Sequence, residues 1–377
     1  MILSKRAQRV GGLAVFVAAV VMSNAAAARA ASPAFPAGYQ GYHTYDEMVA
    51  DVDAVAAAHP DIVRKFSIGK SYEGRDLWAV KVSDNVAVDE NEPEVLFDSN
   101  IHAREHITVE MNLYILHLLA DNYGTDGRVT QLVDNREIYL ILMLNPDGAM
   151  YDISGGQFHN WRKNRQPNAG STFVGTDLNR NFGWSWGCCN GSSPYPRSIE
   201  YRGPRAWSSP EDSAYRAFIR SRVVDGNQQI KIAVSWHSFG QVILWPYGYT
   251  LVNVPSTMLL DDHSTFVALA NRAAALNGYK PKQASDLYIT DGTAHDWSYH
   301  QQGIFHFTFE MGPGYKDGTF YPTADRIAAL TGVNRDAVLY LVGMADCPQR
   351  AAGLGAKYCG ANAVVRPIRL GGRPVPD

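Results

Sequence analysis

The sequence predicts a single α/β domain with a mixed, mostly buried central sheet that helices flank. Strand patterns alternate with helix patterns along the chain, and several strands are apolar throughout. Apolar residues make up 46% of the 377 residues and charged residues 19%, which suffices for a large core and excludes a disordered chain. The formal net charge is −3 and no basic run occurs, so nucleic acid is not expected as a partner.

The predicted elements follow one another in α/β order. The first helix covers 45–58, where Met48, Val52 and Val55 form one apolar stripe at helical spacing. The run 138–144 is apolar throughout and ends at a turn, which is typical of a strand buried on both faces. The other predicted strands cover 63–68, 77–82, 94–100, 230–235 and 305–309. The other predicted helices cover 107–119, 210–223, 262–276 and 324–341.

Residues 1–30 have the three parts of a secretory signal peptide. Lys5, Arg6 and Arg9 supply the positive end, the apolar run 11–22 follows, and an A-x-A cleavage site closes the segment. The alternative is an N-terminal membrane anchor, for which the run is short. We therefore expect a secreted, extracellular protein that has no membrane contact after cleavage.

Four cysteines form an even set in a chain that is expected to be exported. In an oxidising compartment, disulfide bonds are favoured over metal binding for Cys188, Cys189, Cys347 and Cys359. Three pairings are open. The local pairing joins the adjacent cysteines and closes a small loop in the tail, whereas the crossed pairings tie the tail to the 188 loop. We favour the local pairing.

Two imidazoles and two carboxylates stand where predicted strands end. His102 and Glu105 follow the strand 94–100, His237 follows a second strand, and Glu310 ends a third. In open α/β sheets the ligand crevice lies outside the carboxyl ends of the strands. Two His and one Glu form a ligand set for catalytic zinc that leaves one coordination position open, and a nearby carboxylate can act as general base.

A second interpretation of the same segment is the inverted zinc motif H-x-x-E-H. His102, Glu105 and His106 match it, and in that motif both imidazoles bind the metal while the Glu is the base. The motif needs both imidazoles one turn apart on an established helix. Since His102 lies at a strand exit, the fit is poor.

Nine short motifs occur along the chain in a fixed order. They are SYEGR at 71–75, IHARE at 101–105, NPDG at 145–148, WRKNR at 161–165, DLNRN at 177–181, HS at 237–238, WPYGY at 245–249, DWSY at 296–299 and FTFE at 307–310. With these motifs, residues from about 41 to 340 resemble the secreted zinc metallocarboxypeptidases of the carboxypeptidase A type, especially the bacterial carboxypeptidase T group. The resemblance implies a zinc carboxypeptidase-like fold and one catalytic Zn²⁺.

The resemblance also implies roles for the motif residues. His102, Glu105 and His237 would be the zinc ligands, and Glu310 the base that deprotonates the zinc-bound water. Arg162 would stabilise the oxyanion of the tetrahedral intermediate. Asp177 would not bind the metal itself but would orient the ring of His102.

Further residues match substrate-binding positions of the family. Asn179, Arg180 and Tyr288 would hold the terminal carboxylate of the peptide, for which the planar fork of an Arg is suited. Arg104 would contact the substrate further along the chain. One departure is Phe239, where many relatives carry Tyr.

The sequence does not settle which terminal side chains the specificity pocket accepts. His295 matches the residue at its base, which is apolar or Asp in relatives of different specificity. Asp291 could reach the pocket and accept a basic end, or it could face solvent and leave a hydrophobic pocket. We expect broad specificity, with hydrophobic and also basic ends cleaved.

The whole chain is thus expected to be a monomeric exopeptidase that acts on the C-termini of peptides and proteins. Its predicted parts are the signal peptide, a short segment at 31–40, a catalytic domain at 41–343 and a Cys-bearing tail at 344–377. One alternative is an amidase or endopeptidase of the same fold that acts on cell-wall peptides. Another is a catalytically inactive carboxypeptidase-like binding module.

An acidic segment before the third strand, taken together with the resemblance, predicts a structural Ca²⁺ site. Asp89, Glu90, Glu92 and Glu94 place four carboxylates in six residues, and such crowding is relieved when a hard cation gathers the oxygens. By the resemblance, Glu137 would join them. The alternative is a solvated acidic turn.

Overall fold

The computed structural model describes residue 1 and residues 33–360. The predicted signal peptide, apart from Met1, and the last 17 residues of the tail lie outside the described residues. Among the helices that are described, none is both long and apolar enough to cross a membrane.

Ten strands lie in the described part of the chain, and eight of them form one mixed sheet. They are β1 (Val63–Lys70), β2 (Asp76–Val82), β3 (Glu94–Asp98), β4 (Glu137–Ile141), β5 (Val223–Val224), β6 (Asn227–Gln228), β7 (Ile230–Gly240), β8 (Val242–Trp245), β9 (Lys280–Gln283) and β10 (Phe305–Gly314). The order across the sheet is β1-β2-β4-β3-β7-β10-β8-β9, and β5 pairs with β6 apart from it. The four central strands are parallel to one another, as expected for strands covered on both faces.

Helices cover this sheet. Within the described residues they are α1 (Tyr45–Ala58), α2 (Ile107–Ala120), α3 (Gly127–Val133), α4 (Pro146–Asp152), α5 (Pro210–Ser221), α6 (Leu260–Asn277), α7 (Ala294–Gln302), α8 (Ile327–Gly332), α9 (Arg335–Met344) and α10 (Gly355–Tyr358). Helix α1 begins with a capping box in which Thr44 and Glu47 each bind the other's backbone N–H. Helix α2 is buried along nearly its whole length and contacts β2, β4 and β7. The fold class predicted from the sequence is confirmed.

Several element bounds differ from the prediction. Strand β4 ends at Ile141, and the predicted helix 324–341 is divided into a short 3₁₀ turn, α8 and α9. Strand β7 continues to Gly240 and β10 to Gly314, so His237 and Glu310 lie inside strands and not after them. Strands β7 and β10 pair in parallel, with Glu310 opposite His237. This pairing continues past the apolar run of each strand.

The cysteines adopt the local pairing. Cys188 is bonded to Cys189, and Cys347 to Cys359. The second bond closes the described part of the tail, where Lys357 and Tyr358 both contact the carboxylate of Asp261 at the start of α6.

Candidate active site

The site lies at the carboxyl ends of the central parallel strands. His102 and Glu105 occupy the turn between β3 and α2, His237 lies in β7, and Glu310 lies in β10. Because β7 neighbours both β3 and β10, the sheet order brings residues from three distant parts of the chain to one edge.

Three possible metal ligands converge at this edge. The Nδ1 atom of His102 lies 2.9 Å from Oε1 of Glu105, and Nδ1 of His237 lies 3.1 Å from both Nδ1 of His102 and Oε2 of Glu105. Ligand atoms about 2.05 Å from a tetrahedral zinc ion are about 3.3 Å apart, close to these separations. All three side chains are buried. The donor set and its spacing therefore fit a zinc ion.

The ionisation of these residues also suits a divalent cation. Burial lowers the pKa of His237 to about 4, so its imidazole is neutral at neutral pH. Burial alone would raise the pKa of Glu105, but His102 and His237 outweigh it and hold that pKa well below the ordinary value. A neutral imidazole and an ionised carboxylate are the forms in which His and Glu bind metals.

Asp177 lies directly behind the ligands. Its Oδ1 lies 3.2 Å from Nε2 of His102, and its Oδ2 accepts a hydrogen bond of 2.9 Å from Nε of Arg162. Burial opposes the ionised form of Asp177, but the nearby Arg162, Arg180 and His102 outweigh it and keep its pKa well below the ordinary value. The carboxylate thus fixes both the ring of His102 and the guanidinium of Arg162.

A cavity of about 420 Å³ opens in front of these residues. Ten of the predicted site residues line it: His102, Arg104, Glu105, Arg162, Asn179, Arg180, His237, Tyr288, His295 and Glu310. Glu310 is partly buried, and its desolvation, together with the charge of Glu105, raises the pKa of Glu310 well above its ordinary value. Nη2 of Arg162 is buried and has no hydrogen-bond partner among the described residues, so it is available to a ligand.

Arg180 is the most deeply buried cation of the cavity. It is 1% exposed, and its Nε and Nη1 donate to the carbonyl oxygens of Gly191 and Asn179 at 2.9 and 2.8 Å. Its Nη2 lies 3.5 Å from the half-exposed Glu200. Tyr288 is 47% exposed, with its ring 5.9 Å from the Arg180 guanidinium.

The far end of the cavity is largely uncharged. The ring of His295 lies 3.1 Å from Oγ1 of Thr308 through Nδ1, and 3.2 Å from Oδ1 of Asp296 through Nε2. Thr293 also contacts the ring, and further apolar or hydroxyl-bearing side chains line the same cavity; they are Leu244, Ala284, Leu287 and Thr290. This end could hold an apolar side chain.

Asp291 does not line the cavity, which corrects the expectation that it reaches the pocket. It does not face solvent either, because it is fully buried. Its oxygens accept hydrogen bonds from backbone N–H groups of the 187–192 loop, including those of Gly187 and Gly191. Its four acceptor contacts lie within that loop, so its carboxylate is turned away from the cavity.

The inverted zinc motif is wrong for this chain. Nε2 of His106 lies 2.9 Å from Oδ2 of Asp152, and His106 does not belong to the cluster of His102, Glu105 and His237. His106 is the N-cap of α2 and His102 lies in the turn before it, so the two imidazoles are not one turn apart on a helix.

Two aromatic residues of the cavity were missed from the sequence. Tyr315 and Phe320 line its outer part with Phe239, and the guanidinium of Arg104 lies 3.9 Å from the Phe320 ring. Tyr315 begins a short 3₁₀ turn directly after β10 and Phe320 follows that turn, and no motif or periodicity marks either residue.

The acidic residues predicted to bind calcium fall into two clusters, not one. Asp84, Glu90 and Glu92 form the first, which we call the open acidic cluster, with carboxylate oxygens within 4.8 Å of one another. Each has a buried oxygen with no hydrogen-bond partner among the described residues. Burial and the neighbouring carboxylates raise the pKa of Glu92 to about 7. Asp84 was not predicted because it lies outside the six-residue acidic string.

Asp89, Glu94 and Glu137 form the second group, which we call the paired acidic cluster. Arg222 donates to Asp89 at 2.6 Å and to Glu94 at 2.6 to 3.0 Å. Lys81 lies 2.7 Å from Glu137. Two protein cations therefore already pair with these three carboxylates, and the five acidic residues do not form the single site expected from the sequence.

Comparisons with known proteins agree with this geometry. Residues 48–336, which include every residue of the cavity, match a family model described as zinc carboxypeptidase. The chain is 48% identical over 319 residues to a zinc carboxypeptidase of Saccharothrix mutabilis subsp. capreolus, covering 85% of this chain and 73% of that protein. It is 33% identical over 290 residues to carboxypeptidase A1 of Bos taurus, covering 77% of this chain and 67% of that protein.

A solved structure has the same fold. The crystal structure of carboxypeptidase A from Helicoverpa armigera matches with a TM-score of 0.71 and 27% identity, covering 84% of this chain and 74% of that one.

Proposed function

The chain belongs to the zinc carboxypeptidase family, and from that premise we propose that it is a secreted exopeptidase that removes the C-terminal residue of peptides. The family is one of metallopeptidases, so the chain is a hydrolase that uses zinc and acts at peptide C-termini. The leader at 1–30 supports secretion. The observation that carries the exopeptidase proposal is the buried guanidinium of Arg180 in the cavity that His102, Glu105 and His237 enter.

In this proposal His102, Glu105 and His237 hold the zinc ion. When bound, zinc lowers the pKa of a water molecule and polarises the carbonyl of the scissile bond. Glu310 faces the same cavity, and its carboxylate accepts the proton of the attacking water and later passes a proton to the leaving amine. The unpartnered Nη2 of Arg162 donates a hydrogen bond to the oxygen on which negative charge develops.

The end of the peptide is held by charge and by shape. The guanidinium of Arg180 binds the terminal carboxylate, with Asn179 and Tyr288 as further hydrogen-bond donors. Arg104 would contact the peptide on the other side of the scissile bond. A substrate without a free carboxylate would leave Arg180 with the half-exposed Glu200, 3.5 Å from its Nη2, as its anionic partner, so the binding energy of the terminal carboxylate would be lost.

The pocket supports a preference for hydrophobic ends. Leu244, Ala284 and Leu287 line the same cavity as His295. The carboxylates that line the cavity are Glu105, Glu200 and Glu310, and Asp291 is not among them. Because burying an unpaired ammonium group costs several kcal/mol, we propose that basic ends are cleaved poorly, in place of the broad specificity expected from the sequence.

One assay separates the proposed function from its rivals. The protein is given a blocked dipeptide that ends in Phe with a free carboxyl group, and the amidated form of the same dipeptide, each with and without a zinc chelator. Cleavage of the free acid alone, abolished by the chelator, supports the exopeptidase. Cleavage of both substrates indicates the amidase or endopeptidase, and cleavage of neither indicates an inactive binding module.

Calcium binding stays a proposal, now placed at the open acidic cluster. Asp84, Glu90 and Glu92 bring together carboxylate oxygens, the ligands that Ca²⁺ prefers, and three of these oxygens are buried without a partner. The paired acidic cluster offers no comparable site because Arg222 and Lys81 occupy its oxygens.

A further inference from the structure

Asp291 is a buried carboxylate that the proposed reaction does not use. Its side chain has no exposed surface, and none of the ion pairs among the described residues includes it. It accepts hydrogen bonds from the N–H groups of Gly187, Cys189 and Gly191 at 3.2, 3.2 and 2.9 Å, and from the hydroxyl of Ser192. All four donors belong to the 187–192 loop, which contains the bonded pair Cys188–Cys189.

A buried charge of this kind is tolerated only when hydrogen bonds replace its hydration. The carboxylate of Asp291 therefore stabilises the one loop conformation in which three backbone N–H groups point inward. Gly191 lies so close to the 290–291 backbone that a Cβ atom there would be 2.4 Å from the carbonyl carbon of Thr290. The loop and the 290–292 segment are thus packed backbone to backbone.

The same loop holds the guanidinium of Arg180. The carbonyl oxygen of Gly191, the residue whose N–H binds Asp291, accepts the hydrogen bond from Nε of Arg180. On the other side, the carbonyl oxygen of Gly292 accepts from the N–H of Phe182 at 3.0 Å. Gly191 therefore links the two side chains: its N–H binds Asp291 and its carbonyl oxygen binds Arg180. Asp291 does not itself line the cavity.

We propose that Asp291 is a positioning residue for the terminal-carboxylate clamp, because it fixes the 187–192 loop whose Gly191 carbonyl orients Arg180. An Asn at this position offers one oxygen in place of two and turns an NH₂ group toward backbone N–H donors. The loop then shifts away from Asp291, and Arg180 loses its fixed orientation. The inference depends on the proposed function, since it assumes that Arg180 binds the substrate carboxylate.

The test compares two inhibitors in the zinc-loaded, full-length enzyme. 3-Phenylpropanoate carries a carboxylate and an apolar end, and reports on the clamp. Acetohydroxamate binds zinc and has no carboxylate, so it reports on the metal alone. For Asp291→Asn we expect the inhibition constant of 3-phenylpropanoate and the KM of the free-acid dipeptide to rise about tenfold, as for loss of one well-oriented charged hydrogen bond. The kcat value and the inhibition constant of acetohydroxamate should change less than about twofold.

Two further variants control this comparison. Asp147 is also buried and also gathers a turn, accepting from Ser71 and from the N–H of Glu73 at 2.8 and 2.7 Å. Asp147→Asn should lower the melting temperature without changing the ratio of the two inhibition constants. Arg180→Lys should raise the constant for 3-phenylpropanoate alone, because Lys cannot bind a carboxylate with a planar fork.

Several outcomes overturn the proposal. If Asp291→Asn raises both inhibition constants equally, or lowers the melting temperature and changes neither, Asp291 is only structural. If that variant does not fold, Ser192→Ala decides, since it removes one donor to Asp291. A two- to threefold rise for 3-phenylpropanoate alone is then expected, and no change contradicts the proposal. Wild-type enzyme that does not bind 3-phenylpropanoate contradicts the proposed function itself, and with it this inference.

Discussion

The proposed zinc site and the paired acidic cluster each bring three possible ligand atoms within 4.8 Å, yet they differ in the partners of their carboxylates. At the proposed zinc site, the Nδ1 atoms of His102 and His237 lie 3.1 Å apart, and among the described residues no Lys or Arg is hydrogen-bonded to the Glu105 carboxylate, which accepts from the N–H of Ser238. At the paired acidic cluster, Arg222 and Lys81 already fill the place of a metal. Proximity of possible ligands is therefore not sufficient to identify a metal site. The hydrogen-bond and ion-pair partners of each ligand atom must also be known.

Loss of a zinc ligand should have the largest effect. In His237→Ala only two protein ligands remain, so bound zinc should fall from about one ion per chain to nearly none, and kcat by at least about 10³-fold. Metal analysis of the purified protein and initial rates on the free-acid dipeptide measure both. His117→Ala is the control, because that imidazole also lies beside carboxylates, Asp51 and Asp121, but far from any cluster of ligands. Full zinc content in His237→Ala would contradict the ligand assignment.

Removal of the Arg222 guanidinium should show how much this cation stabilises the paired acidic cluster. Arg222→Gln leaves Glu94, which is fully buried, without its partner, so the free energy of unfolding should fall by about 3 kcal/mol in urea titrations. Lys70→Gln is the matched control: its ion pair with Asp76 is exposed and its loss should cost less than about 1 kcal/mol. An equal effect of the two substitutions would show that Arg222 does not balance this cluster.

Substitution of the proposed general base should lower the reaction rate without changing metal binding. Glu310→Gln keeps the three ligands, so zinc content should stay at the wild-type value while kcat falls at least about 100-fold. Loss of zinc together with activity would make Glu310 a ligand, and a rate above a few per cent of wild type would remove its role as base.

Calcium should affect only the open acidic cluster. At a Ca²⁺ concentration about 100 times the dissociation constant, binding to the native state alone adds about 2.7 kcal/mol to the free energy of unfolding. We expect Glu92→Gln to remove this gain and Asp89→Asn, in the paired acidic cluster, to retain it. Thermal unfolding of metal-stripped protein with and without millimolar Ca²⁺ measures the difference, and no gain in the wild type would exclude the site.

Much of the site could be predicted because its residues stand in short local motifs. His102 and Glu105 are three residues apart, and Asn179 and Arg180 are adjacent, so local sequence indicates their chemistry before any fold is known. The strand and helix positions were also largely correct, since apolar periodicity reports which face is buried. Tyr315 and Phe320 were missed because no motif or periodicity marks either residue.

The sequence by itself determined the α/β class, the family and the candidate site residues, because periodicity and motifs are properties of neighbouring residues. Only the tertiary structure decided which partner each charged group takes. Arg222 is 128 residues from Glu94, and Asp291 is 100 residues from Gly191. The sequence left open whether Asp291 reaches the pocket or faces solvent, and whether the acidic string is one calcium site or a solvated turn. Once the chain is folded, a buried charge binds the donors that packing places beside it, and these come from distant segments whose approach no local pattern records.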